Sequence, residues 1–127
     1  MRGNLLYTVI PCYNEEEALP ETARQLALKY GQLLSSGMIG EGSRIVFVND
    51  GSKDRTWELI CALHRENPLF SGICLSRNRG HQNALLAGLM TVRDRADMVI
   101  SMDADLQDDI GAMDEMIAKY QSGCDVV

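Results

Sequence analysis

The chain has 127 residues, 46% hydrophobic and 24% charged, the balance of one globular domain with a real core. Its formal net charge of −6 argues against a general nucleic-acid binder, though not against a local cationic site. It has no run of about 18 apolar residues, so no segment of it is expected to span a membrane, and Met1-Arg2-Gly3-Asn4 does not read as a secretory leader.

In chain order, Leu5 to Ile10 is a predicted strand. Glu16 to Leu34 follows as a helix, with Leu19, Ala23, Leu26, Tyr30 and Leu33 at helical spacing. Asn14 is its expected N-cap, and Glu15, Glu16 and Glu17 fall in its first turn, where carboxylates suit the helix dipole. After a Gly/Ser loop, Arg44 to Asn49 is a β-branched strand closed by Asp50-Gly51-Ser52. Lys53 to Arg65 is a second helix with Trp57, Ile60, Cys61 and His64 on one face, ended by Asn67-Pro68. Ser71 to Leu75 is a third strand, and Gly80 to Thr91 a third helix with Ala84, Leu85, Gly88 and Leu89 inward. Ala96 to Met102 is a fourth strand, and Ile110 to Tyr120 a fourth helix with Met113, Met116, Ile117 and Tyr120 inward. Cys124-Asp125-Val126-Val127 reads as the start of a fifth strand, which predicts a piece of a longer protein.

Alternating hydrophobic strands and helices predict an α/β fold, a mostly parallel sheet with helices on both faces. The sequence shows no repeat, low-complexity tract or internal domain boundary. Cys12, Cys61, Cys74 and Cys124 form no CxxC pair, and neither His64 nor His81 completes a zinc pattern. They are expected to be free thiols in a reducing cytosol, three of them in core elements.

In such a sheet, ligands bind beyond the carboxyl ends of the strands. All four expected strand ends are rich in polar residues. Asp103 and Asp105, at i and i+2 as the fourth strand ends, can converge on a hard divalent cation, Mg²⁺ or Mn²⁺, with the Gln107 carbonyl oxygen on the same face. They can equally cap the following helix or form an Asx turn. Asp108 and Asp109 read as the N-cap and first turn of the fourth helix. Asp50 either caps the second helix, a role Ser52 could also fill, or accepts an N–H from a base. Pro11 fixes the end of the first strand, and Tyr13 offers an aromatic face. Glu15 either binds a ribose hydroxyl or decorates a helix start. Arg77, Arg79 and His81 form a local cationic loop, which suits a diphosphate or is merely solvated.

Taken together, VIPCYNEEEALPET (9–22), IVFVNDGSKDRTWELI (45–60), LSRNRGHQNALLAGL (75–89) and VISMDADLQDD (99–109) resemble the family 2 glycosyltransferases, with their Rossmann-like GT-A fold. The likeness is closest to the polyprenyl-phosphate branch, which includes dolichyl-phosphate mannose synthases and bacterial undecaprenyl-phosphate sugar transferases. It implies an inverting, metal-dependent transferase. The donor would be a UDP- or GDP-linked sugar, the acceptor a polyprenyl phosphate, and the setting cell-wall or polysaccharide biosynthesis. Pro11, Tyr13 and Glu15 would line the nucleotide pocket, Asp50 would bind the base, and Asp103 and Ala104 would lie at the nucleotide sugar. Asp105 with Gln107, and Asp103 beside them, would hold Mg²⁺ or Mn²⁺. Asp103 and Asp105 would carry catalysis, and Arg79 and His81 would form a basic loop near the nucleotide.

The resemblance also implies that residues 1–127 are the N-terminal nucleotide-sugar-binding part of a catalytic domain. The acceptor half and any membrane region would follow residue 127, and the fragment alone would bind without turning over. The full-length protein would be cytoplasmic, at the cytoplasmic face of the membrane; association into a homo-oligomer is left open. An already ionised phosphate acceptor needs little or no catalytic base. Two other readings compete: an Asp-x-Asp phosphotransferase, whose pair usually follows the first strand and precedes a Thr, and a catalytically inactive nucleotide-binding module.

Overall fold

The computed structural model describes residues 4–104 and 112–121. Its elements run β1 (Leu6–Cys12), α1 (Leu19–Ser35), β2 (Arg44–Asn49), α2 (Thr56–Glu66), β3 (Phe70–Cys74), α3 (His81–Val92), β4 (Met98–Ser101) and α4 (Ala112–Gln121). The strands form one sheet in the order β3-β2-β1-β4. All three pairings are parallel. Cys12 stands opposite Asn49, and Asn49 opposite Cys74, so three strands end level and their loops leave from one line.

Side chains alternate across a strand, and the core divides accordingly. Leu6 and Ile10 of β1 with Ile45 and Phe47 of β2 face α1, α2 and α4, which supply Leu26, Tyr30, Ile60, Met113 and Ile117. Val9, Val46 and Val48 point the other way and pack against Ala84 and Val92 of α3. Both faces of β1 and β2 are thus covered, the condition that lets a parallel strand be hydrophobic along its length, while β3 and β4 keep exposed positions. The expected inward positions of α1 (Leu19, Ala23, Leu26, Tyr30 and Leu33) are all buried.

The helix starts differ from expectation for identifiable reasons. Asn14 does not cap α1. It adopts φ +54°, its N–H donates to Ser52 Oγ (2.9 Å), and its Oδ1 accepts the Lys53 N–H (2.8 Å). With that side chain turned toward the neighbouring loop, α1 starts only at Leu19, with Pro20 in its first turn, where a missing N–H is harmless. Neither Asp50 nor Ser52 caps α2. Asp54 Oδ1 accepts both the N–H (2.9 Å) and the hydroxyl of Thr56, and the helix begins there.

Two further departures concern α2 and the thiols. Thr56 and Ile60 are the buried positions of α2, while Trp57 and Cys61 are half-buried and His64 is exposed. Three of the four cysteines are expected in core elements; among the described residues Cys12 is buried, Cys61 half-buried and Cys74 exposed on β3. The expected fifth strand, Cys124, and the residues Asp105, Gln107, Asp108 and Asp109 lie outside the described residues, as does the Tyr120 side chain.

Candidate functional site

At the carboxyl ends of the strands lies a cleft of about 200 Å³. It is lined by Pro11, Cys12, Tyr13 and Glu15 from the end of β1, by Asp50 after β2, and by Asn78, Gly80 and His81 at the start of α3. A second hollow of about 60 Å³ shares Pro11 and His81 and extends to Leu85, Ser101, Met102 and Asp103. The level strand ends bring these groups together, although Pro11 and Asp103 stand far apart in sequence.

The β2–α2 turn organises the edge. On one side it holds the loop after β1. Besides the two Asn14 bonds, the Glu15 N–H donates to Thr56 Oγ1 (2.8 Å) and the Glu16 N–H to Asp54 Oδ2 (3.2 Å). On the other side it holds the loop before α3. Asp50 is 2% exposed, and its two carboxylate oxygens accept the Arg79 N–H (2.6 Å) and the Gly80 N–H (3.0 Å). The Asp50 N–H itself donates to the Cys12 carbonyl (2.8 Å). A carboxylate offers about four acceptor positions, so two backbone bonds leave capacity for a ligand N–H.

Tyr13 is 42% exposed, with its ring available to a flat ligand. Cys12 is 1% exposed, and its thiol donates to the Ile10 carbonyl (3.4 Å). Burial, and secondarily the Glu15 charge, push its pKa far above the usual thiol range, so it is a neutral wall rather than a nucleophile. His81 Nε2 lies 3.6 Å from Asp103 Oδ1, both side chains about half exposed.

Of the sequence-predicted site residues, Pro11, Tyr13, Glu15, Asp50 and His81 therefore meet at the first cleft, and Asp103 joins through His81. Arg79 contributes its backbone N–H to Asp50, while its exposed side chain borders neither hollow. Ala104 is buried in the core, its carbonyl accepting the Thr22 hydroxyl of α1. Asp105 and Gln107 lie outside the described residues. Among the described residues no three His, Cys, Asp or Glu side chains converge as a metal cluster. Asp103 supplies a half-exposed carboxylate of the hard-oxygen type that suits Mg²⁺ or Mn²⁺. Sequence reasoning missed Cys12, Asn78 and Gly80 as lining residues. The first continues the alternation of Leu6, Thr8 and Ile10, and the other two were hidden behind the neighbouring arginines.

A parallel α/β sheet with its cleft at the carboxyl strand ends is here the GT-A glycosyltransferase fold. Residues 1–349 of Staphylococcus aureus TarS superpose with a TM-score of 0.65 at 19% identity, over 93% of this chain and 32% of that one. The Pyrobaculum calidifontis mannosyltransferase PcManGT, solved with GDP-Man and Mn²⁺, superposes with a TM-score of 0.64 at 19% identity, over 83% and 28%. The chain belongs to glycosyl transferase family 2, whose family model matches residues 7–127. The Bacillus subtilis (strain 168) protein YkoT, named as an uncharacterized glycosyltransferase, is 49% identical over 97% of this chain and 36% of its own length. A prophage bactoprenol glucosyl transferase homolog of Escherichia coli (strain K12) is 41% identical, over 94% and 36%. An undecaprenyl-phosphate 4-deoxy-4-formamido-L-arabinose transferase of Pseudomonas aeruginosa (strain LESB58) is 38% identical, over 98% and 34%. The chain thus spans about a third of the length of these relatives.

Proposed function

We propose that the whole protein is an inverting, metal-dependent glycosyltransferase that moves a sugar from a UDP- or GDP-linked donor to a polyprenyl phosphate. Residues 1–127 are its nucleotide-sugar-binding part. The observation that carries this reading is the cleft bounded by Pro11, Tyr13, Glu15 and Asp50, standing at the strand ends of a family 2 chain. The relatives named for bactoprenol and undecaprenyl phosphate support the acceptor class.

In this reading the base lies against Tyr13 and Pro11, with its N–H directed to Asp50. Glu15 accepts a ribose hydroxyl. Arg79 and His81 belong to a basic loop near the nucleotide, and Asp103, at the second hollow, borders the donor, with Ala104 next to it in the chain. Asp103, Asp105 and Gln107 would hold Mg²⁺ or Mn²⁺, which supplies Lewis-acid stabilisation of charge on the departing diphosphate. A cationic loop works in the same direction. An already ionised phosphate acceptor needs little or no catalytic base. The full-length protein works at the cytoplasmic face of the membrane, where a polyprenyl phosphate is anchored.

Titration calorimetry of the chain with UDP and GDP, with and without Mn²⁺, tests the reading. Metal-dependent binding of one of the two is expected, and the tighter one names the donor base. No binding of either nucleotide in the presence of Mn²⁺ would overturn it.

A further inference from the structure

We propose that Asp50 is a positioning residue: by holding the Arg79 and Gly80 N–H groups it fixes the β3–α3 loop against the cleft, and the position of that loop sets nucleotide affinity. This rests on the reading of the cleft as a nucleoside-diphosphate site and adds a role to any direct contact of Asp50 with the base.

Three observations converge on it. The carboxylate is buried, and each of its oxygens accepts one of two consecutive backbone N–H groups. Hydrogen bonds to an ionised acceptor are about twice as strong as neutral ones. The loop is also tied to the Asp50 backbone, because Asn78 Nδ2 donates to the Asp50 carbonyl (3.2 Å). Finally, the loop presses directly on the next residue of the turn. Gly51 has φ +68°, and a Cβ there would lie 2.3 Å from Asn78 N and 2.4 Å from the Arg77 carbonyl carbon.

The side chains of Arg77, Asn78 and Arg79 are all exposed, so apolar burial does little to hold this loop. Its tethers to Asp50, together with the bond from Asn83 Nδ2 to the Arg79 carbonyl (2.8 Å), hold Asn78 and Gly80 along the cleft beside His81, the first residue of α3.

Two variants separate positioning from direct contact. Asp50→Asn keeps the side-chain volume but turns one acceptor into a donor facing an N–H. Gly51→Ala leaves the carboxylate intact and displaces the loop from below. For the wild-type chain and both variants, amide hydrogen exchange at Arg79 and Gly80 is read by NMR, folding by circular dichroism, and UDP and GDP affinity with Mn²⁺ by calorimetry.

In both variants the two amides are expected to exchange about tenfold faster or more, on the scale of one lost charge-assisted bond. Nucleotide affinity is expected to fall about fivefold or more in both, while the circular dichroism spectrum is retained. If Gly51→Ala exchanges faster yet binds like wild type, loop position does not govern affinity and the proposal fails. Unchanged protection in Asp50→Asn overturns it as well. Should Asp50→Asn fail to fold, Gly51→Ala carries the test alone. A wild-type chain that binds neither nucleotide sinks the reading of the cleft instead, and the exchange data keep that failure apart from failure of the tether.

Discussion

The hydroxyl of Tyr30 lies 2.6 Å from that of Thr8, and both residues are fully buried between α1 and the sheet. The same phenol oxygen is within 3.0 Å of the Arg44 carbonyl and 3.3 Å of the Leu6 carbonyl, so it can donate to a strand carbonyl while accepting from Thr8. Burial pushes the phenol well above its ordinary pKa, partly opposed by the bond to Thr8, so it stays a neutral donor. Tyr30→Phe keeps the ring but strips Thr8 and the carbonyls of that partner. A buried polar group left unpaired costs about 1–3 kcal/mol. Urea unfolding should show a loss in that range with the slope unchanged; equal stability would mean the network contributes nothing net.

Gly88 brings α3 directly onto β1 and β2. A Cβ there would lie 2.4 Å from Val9 Cγ1 and 2.9 Å from Val48 Cγ2, and both valines are fully buried. Gly88→Ala therefore sets two effects against each other. Alanine gains about 0.8–1 kcal/mol of helix propensity over glycine, whereas overpacking a tight core costs about 1–3 kcal/mol. The valines have no room to turn away, so the loss should win. We expect a lower melting temperature for Gly88→Ala, and a rise would show that α3 can shift outward without penalty.

Much of the fold was legible because it rests on periodicity. The Leu19, Ala23, Leu26, Tyr30 and Leu33 stripe faces the core as its spacing requires. The alternation along Leu6 to Ile10 divides the two core layers. What spacing could not show was where polar side chains spend their hydrogen bonds. Asn14 looked like a local cap, yet it bonds across 38 and 39 positions to Ser52 and Lys53. Asp50 looked like a cap or a base acceptor, and its carboxylate reaches 29 and 30 positions to Arg79 and Gly80. Such bonds depend on loops that only the finished sheet brings side by side.

The thiols should differ sharply in reactivity. The thiolate is the nucleophile, and burial together with the Glu15 charge disfavours it at Cys12. Cys74 is exposed at the end of β3. Iodoacetamide at pH 8 should label Cys74 in the folded chain and reach Cys12 only after denaturation, as read by peptide mass spectrometry. Equal labelling of the two under native conditions would mean that the end of β1 opens readily.

The metal assignment predicts a split between ligand and metal dependence. Asp105→Ala should lose most of the Mn²⁺-dependent gain in UDP or GDP affinity while keeping the weaker metal-free binding. Losing even an outer-shell partner of a metal ligand weakens the metal by about 10- to 100-fold, so losing a ligand itself should cost at least that. Calorimetry with and without Mn²⁺ checks it, and a variant with the full Mn²⁺ effect would show that Asp105 is not a ligand.

Asp54 makes the β1 edge of the cleft sensitive to acid. Desolvation is the largest single influence and favours protonation, but bonds from the Thr56 hydroxyl, the Thr56 N–H and the Glu16 N–H together outweigh it, and its pKa lies below the ordinary aspartate value of 3.8. A carboxylate whose folded pKa is depressed contributes stability that is fully present above its unfolded pKa. That contribution is lost as pH falls through the folded value. The window therefore lies below about pH 4, with neutral pH on the fully stabilised side. Glu21, held at about 2 by Arg24 and Gln25, titrates in the same direction but sits on the outer surface of α1. Asp54→Asn should melt at a lower temperature than wild type at pH 7 and fall less steeply between pH 4 and pH 2.5. Glu21→Gln, run in parallel, removes its own share without loosening the Glu16 attachment. Coincident pH profiles for wild type and Asp54→Asn would mean that the Asp54 carboxylate contributes nothing to holding this loop.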